Sequence, residues 1–391
     1  MNVYLDYSAT TPIKPEVLEA MMPFLTQQYG NPSSLHSFGR ESRKAVDNAR
    51  DQIAKTLNAS PDEIFFTGGG SEADNWAIKG TAYALKSKGR HIITTAIEHH
   101  AVLHACEYLE KEGFQVTYLP VDENGLISLD DLKNAIKSDT ILISVMYANN
   151  EIGTIQPIEE IGRIAREHRV LFHTDAVQAY GHLEMDTKNL PVDMISISAH
   201  KLYGPKGVGA LYLRKGVRIH NLIHGGGQEK KKRAGTENIA GIVGFGKAAE
   251  LAYIDVETHD QRLTALRDDL KNQLMEAIPY TRLNGHPERR LCNNVNLSFE
   301  FIEGESMLLS LDMVGIGASS GSACTSGSLD PSHVLLAIGL SHEIAHGSLR
   351  LTLGDMTTQE EIDYVVKQLP PIVQRLRDMS PLYEQVKEGN R

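Results

Sequence analysis

A lysine stands directly after a short segment of apolar and β-branched residues, in the sequence Ser198-Ala199-His200-Lys201. The segment Met194–Ser198 predicts a buried strand that ends just before this lysine. A lysine at the end of a buried strand loses part of its hydration, and its amine then becomes easier to deprotonate. Such an amine can form a Schiff base with an aldehyde cofactor. These residues alone fit an ordinary lysine before a turn equally well.

Other polar side chains also follow predicted strands. Asp175 comes at the end of one, where its carboxylate could hold a pyridinium nitrogen protonated or could simply cap the strand. His99 and His100 follow another strand, but adjacent helical residues do not face one metal ion. We therefore interpret His99 as a ring stacked on a flat cofactor and as a proton shuttle with a pKa near neutrality. His100 is interpreted as a surface residue.

A glycine-rich turn, Gly68-Gly69-Gly70-Ser71, lies between a predicted strand and a predicted helix. Free N–H groups at a helix N-terminus favour a phosphate, although a plain helix cap has the same sequence. The turn has neither dinucleotide-binding nor Walker spacing. A second glycine-rich stretch precedes the basic run 230–233, which is either a solvated loop or a site for an acidic partner.

One of the three cysteines, Cys324, lies among small polar residues (319–328), a setting typical of an exposed, reactive thiol on a loop. Cys106 and Cys292 lie in or beside predicted regular elements, so core or incidental roles are favoured. An odd number of cysteines without a CxxC pattern predicts no disulfide framework and a reducing, cytoplasmic location.

Composition restricts the classes of function. The chain has 391 residues, 41% of them hydrophobic, and a net charge of -11. This length suits a large α/β domain with a smaller one. The negative charge and the lack of interleaved aromatic residues argue against nucleic-acid binding through the basic run. We expect no secretory signal and no membrane span, because no apolar run approaches about 20 residues.

Strand-like and helical patterns alternate between residues 60 and 255. The predicted strands are 64–67, 91–97, 116–121, 141–147, 170–174, 194–198 and 209–213. This alternation predicts an α/β fold with a mainly parallel seven-stranded sheet. The last third predicts a smaller α+β domain, with a helix over 263–277 and another over 357–377 interrupted at Pro370-Pro371. We expect a large domain over 13–258 and a small one over 1–12 and 259–391, whose loop 318–332 carries Cys324.

Together these motifs resemble a known family almost from end to end. The matching segments are YLDYSATTP (4–12), GNPSS (30–34), EH (98–99), NNEIG (149–153), HTDAVQ (173–178), SAHK (198–201), RAGTEN (233–238), SGSAC (320–324) and SLR (348–350). The chain resembles cysteine desulfurases of the NifS/IscS type. These enzymes belong to the class V aminotransferases, use pyridoxal 5'-phosphate and have the fold known as type I among enzymes with that cofactor. It departs from many relatives at Gly70-Ser71-Glu72, where they have Ala-Thr-Glu.

The resemblance implies a role for each matching residue. Lys201 would hold the cofactor, Asp175 would pair with its pyridine nitrogen, Gln178 would bind its ring hydroxyl, and His99 would stack on its ring and move protons. The phosphate would be bound by Gly70, Ser71, Ser198 and His200, and by Thr236 from the other subunit of a homodimer. The substrate carboxylate would be held by Asn150 and Arg350. Asn150 would also contact the cofactor. Cys324 would accept the sulfur.

The implied reaction converts L-cysteine to L-alanine and leaves a persulfide on Cys324. The sulfur would then pass to an acceptor protein, such as an iron–sulfur scaffold or a tRNA-thiolation enzyme. No intrinsic metal is implied, although Cys324 is a candidate for a transient iron–sulfur ligand shared with a scaffold. The alternatives are a selenocysteine lyase, a cystine lyase or an aminotransferase, and a non-catalytic scaffold is a more distant one. The sequence does not choose among sulfur acceptors.

Overall fold

The computed structural model describes residues 1–320 and 331–389. The strands in this part of the chain are β1 (Val3–Tyr4), β2 (Ile64–Thr67), β3 (His91–Thr95), β4 (Gln115–Leu119), β5 (Thr140–Ser144), β6 (Leu171–Asp175), β7 (Met194–Ser198), β8 (Gly209–Leu213), β9 (Thr281–Leu283), β10 (Asn294–Phe299), β11 (Ile316–Gly317) and β12 (Ser348–Thr352). The helices are α1 (Pro15–Thr26), α2 (Ser37–Thr56), α3 (Gly70–Leu85), α4 (His100–Lys111), α5 (Leu129–Ala135), α6 (Ile158–Glu167), α7 (Gln228–Lys231), α8 (Ile239–Ala252), α9 (Val256–Ala277), α10 (Gly304–Met313), α11 (His333–Ala337), α12 (His342–His346), α13 (Gln359–Asp378) and α14 (Pro381–Gly389).

A seven-stranded sheet has the order β2-β8-β7-β6-β5-β3-β4. Strand β8 is antiparallel to both of its neighbours, and every other adjacent pair is parallel. The predicted α/β fold with a mainly parallel seven-stranded sheet is therefore confirmed. Because parallel strands carry helices on both faces, their side chains are buried on both sides.

The side chains of strand β7 alternate between the two faces of the sheet. Ile195 and Ile197 belong to the larger apolar cluster, whereas Met194 packs in the cluster on the opposite face. Side chains alternate along a strand, so Ser196 and Ser198 share the face of Met194, which helix α3 covers. Two hydroxyl groups are therefore directed towards the side of the sheet where α3 begins.

A separate apolar cluster is built from residues 3–5 and 263–373. It surrounds the antiparallel sheet β12-β10-β9 and the parallel pair β1-β11. The first residues of the chain thus pair with a strand near residue 316. These contacts support our proposal of a small domain formed by both ends of the chain, with the boundaries predicted above.

Two predictions about helices are wrong, one about where a helix begins and one about an interruption within a helix. Helix α9 begins at Val256, whereas the expected start is 263. The sequence pattern does not reveal its first turns, because they are polar and carry no apolar periodicity. Helix α13 continues through Pro370 and Pro371 without the expected interruption. Buried Leu369 and Val373 hold this part of α13 against the core, which outweighs the loss of two backbone donors. Among the described residues, no helix is long and apolar enough to cross a membrane.

Candidate active site

A cavity of about 360 Å³ lies where the carboxyl ends of β6 and β7 meet the N-terminus of α3. This is the edge of a parallel sheet at which ligands commonly bind. Ten of the predicted site residues line it: Gly70, Ser71, His99, Asn150, Asp175, Gln178, Ser198, His200, Lys201 and Arg350. Thr236 is exposed and does not line this cavity, and Cys324 lies outside the described residues.

Lys201 ends a short 3-10 turn directly after β7. Its Nζ donates hydrogen bonds to the backbone carbonyl oxygens of Ser8 and Ala9, the second at 2.8 Å. The N-terminal segment is fixed beside this turn, because the Thr11 hydroxyl donates to the carbonyl oxygen of His200 at 2.9 Å. The lysine amine is therefore held at the mouth of the strand by the first residues of the chain.

Asp175 is the last residue of β6, and only 6% of it is exposed. Its Oδ1 accepts a hydrogen bond from the backbone N–H of Val177 at 2.9 Å. Burial raises the pKa of this carboxyl to about 6, while the Val177 N–H and the charge of Lys201 oppose the rise. The carboxylate is thus kept in a poorly solvated place, where a cationic partner would stabilise its charged form.

His99 is the residue that precedes helix α4, and its Nδ1 accepts a hydrogen bond from the backbone N–H of Ala101 at 3.1 Å. Since Nδ1 is an acceptor, the ring proton lies on Nε2. Burial and, less strongly, the charge of Lys201 lower the pKa of His99 to about 4. The expectation of a pKa near neutrality is therefore wrong: in this cavity His99 is a neutral ring. His100 is half-buried beside His104 and His333 and is not a plain surface residue.

The turn before α3 forms one end of the cavity. Gly69 has φ of 152°, a conformation that favours glycine and lets the chain enter the helix directly from β2. Glu72 braces this turn: its Oε2 accepts from the Gly68 N–H at 2.8 Å, and Arg233 donates to both of its carboxylate oxygens. The free N–H groups of α3 therefore lie in a fixed turn next to the hydroxyl of Ser71.

His200 and its neighbours complete the end of the cavity that is formed by the turn before α3. Burial and the charges of Lys201 and Lys206 lower the pKa of His200 to about 4, so its ring is uncharged. Its Nδ1 lies 3.2 Å from the Thr10 hydroxyl. A neighbouring open pocket is lined by the same turn together with Ser198, His200 and Lys206. Helix N–H groups, hydroxyls and a nearby lysine are suited to a phosphate group.

Arg350 occupies the opposite side of the cavity on strand β12, and only 2% of it is exposed. Its Nη2 donates to Asp6 Oδ1 at 2.8 Å, and its Nη1 donates to the carbonyl oxygen of Asn150 at 3.1 Å. Its Nε has no hydrogen-bond partner among the described residues. The guanidinium is thus fixed in place and keeps a donor for a further acceptor.

The residues on both sides of 321–330 are anchored at this cavity. Ser319 exchanges two backbone hydrogen bonds with Arg350. The Ser332 hydroxyl donates to Glu151, and His333 Nε2 donates to the carbonyl oxygen of Glu98 at 2.9 Å. The described residues on either side of the segment that carries Cys324 therefore contact groups that line or support the site.

The comparisons with known proteins agree with this arrangement. Residues 3–365 match the family model described as aminotransferase class-V. A cysteine desulfurase IscS from Clostridium botulinum is 63% identical over 385 residues, which cover 98% of this chain and 97% of the relative. A solved NifS-like protein is 42% identical, with a TM-score of 0.91, over 96% of this chain and 100% of that one. A structure described as SspA in complex with cysteine is 40% identical, with a TM-score of 0.81, over 90% of this chain and 99% of that one.

The chain belongs to the cysteine desulfurases of the class V aminotransferase family. The predicted family, fold and enzyme class are confirmed, and the main interpretation is favoured over a selenocysteine lyase or a cystine lyase. Cysteine desulfurases of this family depend on pyridoxal 5'-phosphate, so this cofactor prediction is confirmed as well.

The cavity of this cysteine desulfurase fits pyridoxal phosphate chemically. It combines an amine, a buried carboxylate and a helix N-terminus with hydroxyl groups. In addition, Ser8 Oγ, Asp74 Oδ1 and Arg350 Nε are buried at its wall without a hydrogen-bond partner among the described residues. Each unpaired polar atom costs about 1–3 kcal/mol, and a polar ligand in the cavity would supply partners.

Sequence reasoning missed the polar network behind Asp175. Asp74 is buried at the cavity wall, with its Oδ1 3.7 Å from His173 Nε2. His173 also lies 2.9 Å from the hydroxyls of Ser144 and Ser196. Burial and the charge of Asp175 raise the pKa of Asp74 well above its usual range. The signal that could have identified Asp74 is its spacing of three after Ser71, which places both residues on one face of α3.

Proposed function

We propose that this protein converts L-cysteine to L-alanine, retains the sulfur as a persulfide on Cys324 and passes it to an acceptor protein. The observation that carries this proposal is the convergence of Lys201, Asp175, His99 and Arg350 on one cavity. Each comes from a different segment of the sequence, and each supplies a group that the reaction requires.

Pyridoxal phosphate, when bound, supplies an electron sink for the bond changes at the substrate's Cα and Cβ. Lys201 would hold it covalently and, once released, would take and return protons at the substrate. Asp175 would keep a proton on the pyridine nitrogen, and the ring hydroxyl would face Gln178, whose Nε2 donates to the Ser8 carbonyl oxygen at 3.0 Å. Neutral His99 would stack on the ring and present its Nε2–H.

Arg350 would bind the substrate carboxylate, with Asn150 beside it. Its fixed guanidinium suits a charge-assisted interaction with a carboxylate. The anchoring by Asp6 keeps the side chain extended into the site before substrate arrives. The substrate's sulfur would then be directed by its fixed carboxylate end towards the segment that follows Ser319.

Cys324 is five positions after Ser319, which is hydrogen-bonded to Arg350. Five residues span at most about 18 Å, so the chain between Ser319 and Cys324 is long enough for the thiol to reach the site. A thiolate, which is the form that attacks sulfur, is a soft nucleophile suited to this step. The Cys324 thiolate would bond to the substrate sulfur, the carbon–sulfur bond would break, and the released carbon would be protonated to give alanine.

A homodimer would complete the site through the partner's Thr236. Thr236 is exposed in this chain, and the pocket beside the α3 turn is open. A run of apolar side chains is exposed on α1 and just beyond it: Leu18, Met22, Leu25, Tyr29, Leu35 and Phe38. Leu18, Met22 and Leu25 follow helical spacing and form one face, which is typical of a contact surface.

The dimer can be tested with charged substitutions on that face. The double variant Leu18→Glu/Met22→Glu should sediment as a monomer and bind pyridoxal phosphate more weakly than the parent. Leu309→Glu is the matched control, because Leu309 is also an exposed helical leucine. A monomeric parent protein would contradict this part of the proposal.

The acceptor would be a protein such as an iron–sulfur scaffold or a tRNA-thiolation enzyme, and iron–sulfur cluster assembly agrees with the name of the IscS relative. A cytoplasmic location is supported by the described cysteines, Cys106 and Cys292, which are free thiols. Holoenzyme given labelled L-cysteine should pass label to its acceptor, which a pull-down and mass spectrometry would identify. A Cys324→Ala holoenzyme should label no protein.

The reaction itself separates the candidates. The holoenzyme should form alanine from L-cysteine in equal amounts with persulfide sulfur, whereas a cystine lyase would form pyruvate and ammonia. A selenocysteine lyase would show a much higher kcat/KM for L-selenocysteine than for L-cysteine. Either of these results would overturn the proposed activity.

A further inference from the structure

Four side chains with metal-binding atoms meet away from the cofactor cavity: His182, His259, Asp260 and Cys292. The proposed reaction gives them no role, and the sequence argument favours only a core or incidental role for Cys292. The resemblance implies no intrinsic metal, and the sequence argument against a metal site is made only for His99 and His100. The cluster joins three segments that are distant in the chain, namely the turn after β6, the first turn of α9 and the residues before β10.

Asp260 lies close to the other three groups, and Cys292 also lies close to His182, at distances typical of a small coordination shell. Asp260 Oδ1 lies 3.7 Å from His182 Nδ1, 3.6 Å from His259 Nδ1 and 3.1 Å from Cys292 Sγ. Cys292 Sγ lies 3.6 Å from His182 Nδ1. The ligand atoms of the two histidines and Asp260 are all within 4.8 Å of one another. Tetrahedral zinc, with bonds of about 2.0–2.3 Å, separates its ligands by about 3.3–3.8 Å.

A second carboxylate supports one of the histidines. His259 Nε2 donates to Asp355 Oδ1 at 2.6 Å, which leaves Nδ1 directed towards Asp260 and the rest of the cluster. Histidines that bind metals typically donate their other ring N–H to a carboxylate in this way, which fixes both tautomer and orientation. Asp355 is itself fixed, because it pairs with Lys14 and its backbone N–H donates to the Tyr203 hydroxyl.

The three segments are tied together independently of the cluster. The Tyr253 hydroxyl accepts from the Gly181 N–H at 3.2 Å and donates to the Leu183 carbonyl oxygen at 3.1 Å. These bonds fix the residues on either side of His182. Arg267 of α9 donates to the Leu291 carbonyl oxygen at 2.9 Å, next to Cys292. The four ligands are therefore held together by packing that does not involve them, as a preorganised site requires.

Access and burial also suit a bound ion. Cys292 is 7% exposed, whereas His182 and His259 line an open cavity of about 740 Å³. An ion could enter through this cavity, past the two histidines, and bind the buried sulfur of Cys292. Two imidazoles, one carboxylate and one thiol exclude Mg²⁺ and Ca²⁺, which prefer shells of oxygen, and favour a tetrahedral ion of borderline softness.

We propose that His182, His259, Asp260 and Cys292 form a structural site for Zn²⁺. The ion would displace the thiol proton of Cys292 and link the β6–β7 connection to the start of α9 and the entry to β10. Without the ion, the Cys292 thiol would keep its proton and donate it to Asp260, as in the hydrogen bond that the structure describes. The two forms differ in metal content and in bonds to sulfur, which can be measured without an activity assay.

The test uses Cys324→Ala holoenzyme, so that the reactive thiol cannot bind metal. After exposure to Zn²⁺ or Co²⁺ and dialysis, this protein should retain one metal per chain. Its Co²⁺ form should show the visible bands of a tetrahedral ion and a sulfur-to-cobalt charge-transfer band in difference spectra. Adding Cys106→Ala, which removes the other described thiol, should change neither result.

Added ligand substitutions should remove the metal. Cys292→Ser should eliminate the charge-transfer band, and His182→Gln should weaken retention at least about 10-fold. Asp355→Asn, outside the shell, should weaken it by about 10–100-fold. His182→Gln is the deciding variant if Cys292→Ser does not fold, because His182 is partly exposed. The proposal is wrong if the parent retains no metal, or if folded His182→Gln retains as much as the parent.

Discussion

Asp175→Asn should stabilise the cofactor-free protein while removing most of its activity. Burial raises the pKa of Asp175 from its ordinary value of 3.8 to about 6. One pKa unit corresponds to about 1.36 kcal/mol, so holding this carboxylate ionised in the folded chain costs about 3 kcal/mol at neutral pH. Asparagine keeps an oxygen for the Val177 N–H and has no charge to bury.

The sign and the pH window follow from proton binding. Between the ordinary pKa and the raised one, the folded wild-type protein binds more protons than the unfolded chain, so its stability falls as the pH rises. The advantage of Asp175→Asn should therefore be near zero below about pH 3, about half of its full value near pH 5 and about 3 kcal/mol near pH 7.5. Activity should fall at least about 100-fold, the scale of losing one electrostatic partner in an active site.

The assay is urea unfolding of cofactor-free protein at these pH values. Asp130→Asn is the matched control, since Asp130 is exposed and the same chemical change should alter stability by less than about 0.5 kcal/mol. The reasoning is refuted if Asp175→Asn destabilises the cofactor-free protein at neutral pH, or if its effect does not depend on pH.

Three further predictions concern an internal ion pair, the substrate carboxylate and the cofactor linkage. Glu229→Gln should lower the free energy of unfolding by about 3–5 kcal/mol in urea titrations, because it leaves the buried Arg50 without its anionic partner. The double variant Arg50→Met/Glu229→Gln should recover part of this loss. Asp62→Asn, which breaks an exposed ion pair, should cost less than about 1 kcal/mol. Equal losses of stability in Glu229→Gln and Asp62→Asn would refute the argument that burial makes the difference. Arg350→Lys should raise the KM for L-cysteine by about 10–100-fold with a smaller change in kcat, and the reverse pattern would contradict carboxylate binding. Lys201→Ala should leave no cofactor trapped covalently on the chain by borohydride, and a trapped adduct would exclude this lysine.

The central part of the site could be predicted because local signals and the sheet agreed. Lys201 and Asp175 each follow a strand of apolar and β-branched residues, and neighbouring parallel strands bring their carboxyl ends to one edge. The turn Gly68-Gly69-Gly70 marked the start of α3 in the same way. These inferences need only the order of elements.

Contacts between distant segments could not be predicted from local patterns. Asp6 pairs with Arg350, 344 positions away, and the Ser8 carbonyl oxygen accepts from Lys201, 193 positions away. The motif that contains Asp6 and Ser8 was recognised, but nothing in its residue types showed which groups they would meet. The low pKa of His99 has the same origin, because burial by the folded chain, rather than the local sequence, removes its charge.

Single-turnover chemistry at Cys324 is the most direct test of the proposed mechanism. Holoenzyme mixed with L-cysteine in the absence of reductant should form one alanine per site and one extra sulfur atom on the peptide that contains Cys324, as seen by mass spectrometry. Cys324→Ala should keep its bound cofactor and still bind L-cysteine, yet form neither product. If this variant releases alanine and sulfide at the rate of the parent, Cys324 is not the sulfur acceptor.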